Sequence, residues 1–239
     1  MAVAEGPRYS PDGRWYLDGV AWQPVSPAPA ASPQPYVPSG TLATLAITLI
    51  GVALAGYMFV LVNQLVMLAA VLGLVGRGVT VISALISLPG GLVFLGGLVG
   101  AAITVPMWMY QSSRNLRALG SQALRWSPGW AAGSWFVPFA NLAIPYLVLH
   151  QLETRTSFRG EQRSPFLWLS WTFWVGAWIC AGLLLAVGLV TGGQAVVVQA
   201  GLITAGELSW MLAWALVIPV IRLIVQAQEA WFRRAHELT

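Results

Sequence analysis

Few side chains in this sequence are of a type that does chemistry. His150 and Glu153 stand three residues apart, a spacing that puts both on one turn of a helix and makes half of a metal site. A third ligand would have to come from His236 or Glu237 near the end of the chain. Without one, the pair reads as a satisfied interfacial contact. A single cysteine, Cys180, lies inside an apolar run and excludes both an internal disulfide framework and a cysteine-based zinc site. No HExxH, P-loop, GxSxG or CxxC pattern occurs. No catalytic residue, metal or cofactor is therefore expected, and the chain is read as a non-enzyme. The polar residues inside apolar runs are Asn63, Glu207 and Arg222, with Gln64 beside the first. They make a weak set of intramembrane candidates, too few and too scattered in depth for a transport path. Arg222 is expected to snorkel to the interface.

The denser candidate is a collar of charge and indole. Arg114, Arg117 and Arg125 alternate with Trp126, Trp130 and Trp135, and Asn141 follows. At a membrane surface each basic head attracts anionic lipid by roughly 1 kcal/mol, and Trp rings favour the headgroup zone. Ordinary anchoring explains such a collar. The sharper expectation is a groove under residues 126–146 that takes a lipid headgroup or a partner helix.

What positions these residues is a chain that cannot be soluble. Of its 239 residues 57% are hydrophobic and 8% charged, with mean hydropathy +0.72, against roughly 25% charged in soluble domains. A net charge of +4, bound to membrane flanks, does not suggest nucleic acid. About 20 apolar residues cross a bilayer. By that measure four spans are predicted, over about 41–75, 79–112, 165–190 and 207–231, within a transmembrane domain of 41–235. The fold class is an all-α integral membrane protein of four helices, with an interfacial or re-entrant segment at 128–152 and a small N-terminal β-hairpin. Pro89-Gly90-Gly91 is expected to break the second span, and 191–206 reads as a Gly-rich loop. Pro106 and Pro219 predict kinks. Gly96 and Gly100 form a small-xxx-small pair that would let another helix, or a second copy, approach. Gly97 and Ala101 repeat that spacing. Ser164-Pro165 marks a helix start. Trp168, Trp171, Trp174 and Trp178 share one helical face, expected to be a packing or lipid-facing surface. Asn141 is placed to cap a helix that begins near Pro145.

Residues 1–25 read as a small module: Pro11-Asp12-Gly13 and Asp18-Gly19 signal turns. A strand at Arg14–Leu17 and a return at Val20–Gln23 would pack Trp15 and Trp22 on one face, making Trp15, Tyr16 and Trp22 the candidate partner-binding surface. A hairpin this small is marginal alone. It resembles short Trp-containing modules at the ends of bacterial membrane proteins, and more loosely a WW domain, lacking that domain's length and a clear third strand. Residues 26–40 form a Pro-rich, extended linker, and the N-terminal stretch shows no secretory signal.

Arginines set the orientation. Arg8 and Arg14 lie before the spans, Arg114, Arg117, Arg125, Arg155, Arg159 and Arg163 in the central loop, and Arg233 and Arg234 at the end. Only Arg77 lies on the opposite side. The positive-inside rule then places both termini and the central loop in the cytoplasm.

From Trp108 onward the order of motifs is distinctive: Trp108-Met109-Tyr110, Arg114-Asn115-Leu116-Arg117-Ala118-Leu119-Gly120, Trp126-Ser127-Pro128-Gly129-Trp130, Trp135-Phe136-Val137-Pro138 with Asn141, then Pro145-Tyr146. This resembles the bacterial membrane family known as domain of unknown function 4328, in layout over 41–235 and in motif over about 108–153. Gln111-Ser112-Ser113 departs from it where members tend to have an Arg and an aromatic. The resemblance implies a four-helix fold in a bacterial inner membrane and brings no activity. The expectation is a membrane adaptor or sensor with lipid as partner, and the alternative a small transporter, channel or lipid-handling protein.

Overall fold

The computed structural model describes residues 8–10, 15–17, 22–24, 35–121, 124–156, 164–191 and 195–237. The chain divides into two compact units, 1–34 and 35–239.

In the first unit three short strands form an antiparallel sheet in the order β1 (Arg8–Tyr9), β2 (Trp15–Leu17), β3 (Trp22–Pro24). Tyr16 pairs with Tyr9 on one side and Gln23 on the other, and Leu17 pairs with Trp22. The third strand comes from Arg8–Tyr9, ahead of the predicted pair, where no alternation signalled it. Of the predicted return at Val20–Gln23, Trp22 and Gln23 lie in β3, and residues 20 and 21 lie outside the described residues. Trp22 is 51% exposed, so the expected core does not close over it. Both predicted turns and residues 26–34 of the linker lie outside the described residues.

The second unit is helical: α1 (Gly40–Val71), α2 (Arg77–Ala118), α3 (Pro128–Gly133), α4 (Ile144–Thr156), α5 (Pro165–Thr191) and α6 (Val196–Glu237). Single 3₁₀ turns at Ser134–Phe136 and Ala140–Leu142 link α3 to α4. Four helices, α1, α2, α5 and α6, are long and apolar enough to cross a membrane. In hydrocarbon the backbone must satisfy its own hydrogen bonds, and a helix does so within one segment. At six and thirteen residues α3 and α4 are too short to cross, so the segment around Trp130–Leu149 adds no fifth span.

One predicted interruption is absent and one predicted loop is much shorter. Helix α2 runs through Pro89-Gly90-Gly91 because Gly90 serves packing: a Cβ there would collide with the Phe59 side chain on α1. Helix α6 begins at Val196, eleven residues before the predicted start, and takes in most of the supposed Gly-rich loop. A Cβ on Gly206 would come within 3.0 Å of the Cys180 Cβ, so this glycine brings α6 against α5. The small-residue face also shifts. A Cβ on Gly97 would strike the Ala53 backbone of α1, and one on Gly100 would sit 2.8 Å from the Leu49 side chain, whereas Gly96 faces open space. Gly100 is thus used within the chain, and of the pair assigned to self-association only Gly96 stays free. True chain reversals are marked by positive φ at Gly73 and Gly120. At each helix end the next two amides reach back to the last turn: Gly73 N–H to Ala70 O and Leu74 N–H to Ala69 O after α1, Gly120 N–H to Arg117 O and Ser121 N–H to Leu116 O after α2.

The packed core sits at one end of the bundle. Ile50, Trp108, Met109, Leu116, Leu149, Leu152, Ile221 and Ile224 are buried there, joining the N-terminal part of α1, the C-terminal parts of α2 and α6, and α4. Toward the other end Leu85, Leu88, Leu92, Leu185 and Leu189 are exposed. That is a surface suited to hydrocarbon.

Candidate functional site

The predicted collar separates into surface and interior. Arg117 and Arg125 are exposed, and Arg114 is half-buried with its guanidinium 5.9 Å from the Tyr110 ring centroid. Arg125 lies 5.5 Å from the ring of its neighbour Trp126. The Trp126 backbone N–H donates to Gln151 Oε1 at 3.2 Å, which ties this segment to α4. Trp130 is exposed, and its N–H donates to the Ser127 hydroxyl that caps α3. Trp135 goes inside. Its indole N–H reaches Met109 Sδ at 3.1 Å, and its ring stacks on Trp214 with centroids 6.0 Å apart. Asn141 falls within a 3₁₀ turn, and α4 starts three residues later, so it does not cap that helix; its Oδ1 is buried without a partner. Between the two 3₁₀ turns Phe139 adopts φ 63°, with Ala140 N–H donating to Pro138 O at 2.7 Å. This is the rare positive-φ γ-turn, strained for a residue with a Cβ. It leaves the Phe139 ring 86% exposed.

Trp135 belongs to a run of aromatic contacts through the unit. Tyr146 on α4 stacks on His150 and touches Trp171, which stacks on Trp174. Trp174 and Trp135 meet Trp214, Trp214 meets Trp210, and Trp210 meets Tyr57 of α1 and Phe94 of α2. The stripe on α5 therefore splits. Trp171 and Trp174 pack inward, with Trp171 Nε1–H donating to Leu142 O at 2.7 Å, while Trp168 and Trp178 stay exposed.

His150 and Glu153 take separate partners. His150 stacks on Tyr146, while Glu153, 2% exposed, accepts the Ser164 N–H at 2.6 Å where α5 begins. Ser164 in turn accepts the Phe166 N–H, as a helix cap does. Among the described residues no three His, Cys, Asp or Glu side chains converge.

The three intramembrane candidates, Asn63, Glu207 and Arg222, have separate surroundings. Asn63 Oδ1 accepts from Ser83 Oγ at 3.0 Å and pins α1 to α2. Arg222 points outward and is exposed. Glu207 borders a cavity of about 390 Å³ walled by α1, α2, α5 and α6. The Tyr57 phenol is turned toward the Glu207 carboxyl, yet neither its hydroxyl nor Glu207 Oε2 has a partner of full hydrogen-bonding geometry.

One arrangement went unread in the sequence. The residues ahead of α1 are clamped into the packed end of the bundle. Asn115 Nδ2–H donates to Val37 O at 2.8 Å, and Asn115 Oδ1 accepts the Val37 N–H at 3.2 Å, the pairing one strand gives another. Gln111 Nε2–H donates to the same Oδ1 at 3.1 Å. Tyr36 stacks on Phe232 of α6 at 4.3 Å and 14°, and Ser39 is fully buried. Buried Gln228 donates from Nε2 to Ser112 O at 3.0 Å and joins α6 to α2 beside the clamp. The available signal was polar residues at 111, 112, 115 and 228 on helices otherwise apolar, including the Gln111-Ser112-Ser113 departure.

The match to the family described as Domain of unknown function (DUF4328) runs over residues 72–227, more than half of the chain. It takes in α2 to α5, the collar and most of α6. No curated protein and no solved structure matches the chain.

Proposed function

Since the chain belongs to the family Domain of unknown function (DUF4328), for which no activity is assigned, we propose that it is a membrane adaptor or sensor whose N-terminal unit is coupled to the state of its helix bundle. The observation that carries this reading is the Asn115 clamp. A linker that merely suspended a module would need no partner at its membrane end. Here Pro35–Ser39 forms part of the packed unit, held by Asn115 and by Tyr36 on Phe232. A change in how α2 and α6 meet alters the seat from which residues 1–34 extend. The reading places the clamped end, with Arg114, Arg117, Arg125, Arg155, Arg233 and Arg234, on the cytoplasmic face of a bacterial inner membrane. There the basic collar meets anionic headgroups, and Trp15, Tyr16 and Trp22 offer the surface for a protein partner.

Two experiments test this. Reporter fusions at Arg159 and at the C-terminus should both report cytoplasm; opposite sides would dismiss the orientation. In a chain lacking residues 1–34 but keeping the clamp, the set of proteins crosslinked in intact cells should lose those captured by the full chain. An unchanged set removes the adaptor role. The alternative, a small transporter or lipid-handling protein, is favoured by one observation, the cavity beside Glu207.

A further inference from the structure

That cavity combines aromatic faces, a carboxyl group and aliphatic walls. Its volume, about 390 Å³, lies within the usual range of small-molecule pockets, about 300–1,000 Å³. Three aromatic rings stand together at one end: Tyr57 and Phe94 with centroids 5.1 Å apart, Phe94 and Trp210 at 5.8 Å, Tyr57 and Trp210 at 6.2 Å. The Glu207 carboxyl lies beside them and faces the Tyr57 phenol, with Oε2 buried and short of full hydrogen-bonding geometry. The other end is aliphatic, formed by Leu184 of α5 with Leu202 and Ile203 of α6. A carboxyl whose hydrogen bonding is incomplete in an apolar span is costly, and ionisable groups placed there mark sites. Aromatic faces attract a cation through their quadrupoles, a carboxylate attracts it by charge, and aliphatic walls want a hydrocarbon tail.

We infer that this cavity binds a lipophilic amine, its ammonium group between Glu207 and the rings of Tyr57, Phe94 and Trp210, and its alkyl tail along α5 and α6. The chemistry selects against the nearest competitors. An anionic lipid would set like charge against the carboxylate, and a neutral alcohol, though it can donate to the carboxylate, would gain neither the ion pair nor the cation–π attraction. The inference is independent of the proposed role of residues 1–34.

Cys180 lies on the cavity wall and is the chain's only cysteine, so alkylation by N-ethylmaleimide reads occupancy at one position. The full chain in phosphatidylcholine nanodiscs is titrated with dodecylamine and, separately, with dodecanol, which has the same tail. Dodecylamine should protect Cys180 at concentrations about tenfold or more below those dodecanol needs. Glu207→Gln, which keeps the shape and removes the charge, should erase that difference, the loss expected for a charge-assisted contact. Ala181→Leu keeps the carboxyl but fills space, and should weaken protection by both compounds. Native mass spectrometry should retain one amine per wild-type chain and none per Glu207→Gln chain. Equal protection by amine and alcohol would mean partitioning into the bilayer only and would overturn the inference. So would amine protection unchanged in Glu207→Gln or Ala181→Leu, or a Cys180 unprotected with no amine retained.

Discussion

Replacing Asn115 by Ala removes both hydrogen bonds to Val37 and leaves the apolar packing around the helix end intact. An intramolecular hydrogen bond contributes a net of about 0.5–1.5 kcal/mol, and an unsatisfied buried group costs a further 1–3 kcal/mol or so. The 43% exposure of Val37 lowers the second cost, while half-buried Gln111 also loses its acceptor on Asn115 Oδ1. The two bonds together are then worth about 1–3 kcal/mol, and the stack of Tyr36 on Phe232, about 0.5–1.5 kcal/mol, is left to hold the segment. The expected result is local undocking of residues 35–39 with the helices unchanged. Amide hydrogen exchange in detergent or nanodiscs measures it directly: exchange at Val37 should accelerate about 5- to 150-fold, while amides of α1 beyond Ile50 keep their protection. Asn115→Asp retains an acceptor for the Val37 N–H but turns a carboxylate oxygen toward Val37 O, so it should exchange as fast as Ala or faster. Unchanged exchange at Val37 in Asn115→Ala would show that the clamp does not hold the segment, and the coupling proposed for residues 1–34 would fall with it.

Other outcomes follow from the same geometry. Gly97→Ala forces a methyl into the α1 backbone and should destabilise the unit by about 1–3 kcal/mol, whereas Gly96→Ala, facing open space, should be neutral; unfolding in mixed micelles by denaturing detergent separates the two. Gln228→Ala strips a buried donor from Ser112 O and should cost about 1–3 kcal/mol in the same assay. Phe139→Gly relieves a positive-φ residue and should leave stability unchanged or raise it by about 1 kcal/mol, while lowering quenching of Trp130 fluorescence by headgroup-level brominated lipid. Burial, then the Glu229 carboxylate, raises the Tyr36 phenol above its ordinary 10.0, with Arg233 opposing. Because the folded state holds the neutral phenol, its contribution to docking is complete below that value and declines as the pH climbs past it. The tyrosinate absorbance difference between wild type and Tyr36→Phe should therefore develop above pH 10.0.

The long helices were legible because their signal is bulk hydropathy, which any window of about 20 residues reports. Their limits were less so. Pro and Gly carry turn meanings drawn from water-exposed chains, yet Gly90, Gly97 and Gly206 are spent on helix contact, and within a bundle neighbouring helices support a backbone that proline interrupts. The family resemblance rested on the order of Trp, Pro and Arg motifs, which needs no geometry to read. The collar was half legible: composition placed Arg117, Arg125 and Trp130 at a surface, but could not show that Trp135 turns inward while Trp130, five residues earlier, does not. The Asn115 clamp was opaque because its partner is a backbone 78 residues away, and main-chain acceptors leave no mark in a sequence. Likewise Glu207 could be named, but that it shares a cavity with residues of all four long helices depends on a packing no pattern encodes.

The helices pair most extensively as α1 with α2 and α5 with α6, each pair consecutive in the chain. Each is thus an insertion unit able to enter a bilayer as a helical hairpin before the other is made. What joins the two hairpins is the packing of α1 on α6, Trp210 of α6 against Tyr57 of α1 and Phe94 of α2, Trp135 set between Met109 of α2 and Trp214 of α6, and Gln228 on Ser112 O. Biogenesis therefore has two separable stages. Membrane entry depends on apolar length, the bonds of Asn115 to Val37 lie within the first hairpin, and the Tyr36–Phe232 stack and the cavity of Glu207 exist only after the halves have met. A lesion at the seam should yield a chain that is inserted and correctly threaded, keeps Val37 on Asn115 and lacks the cavity of Glu207.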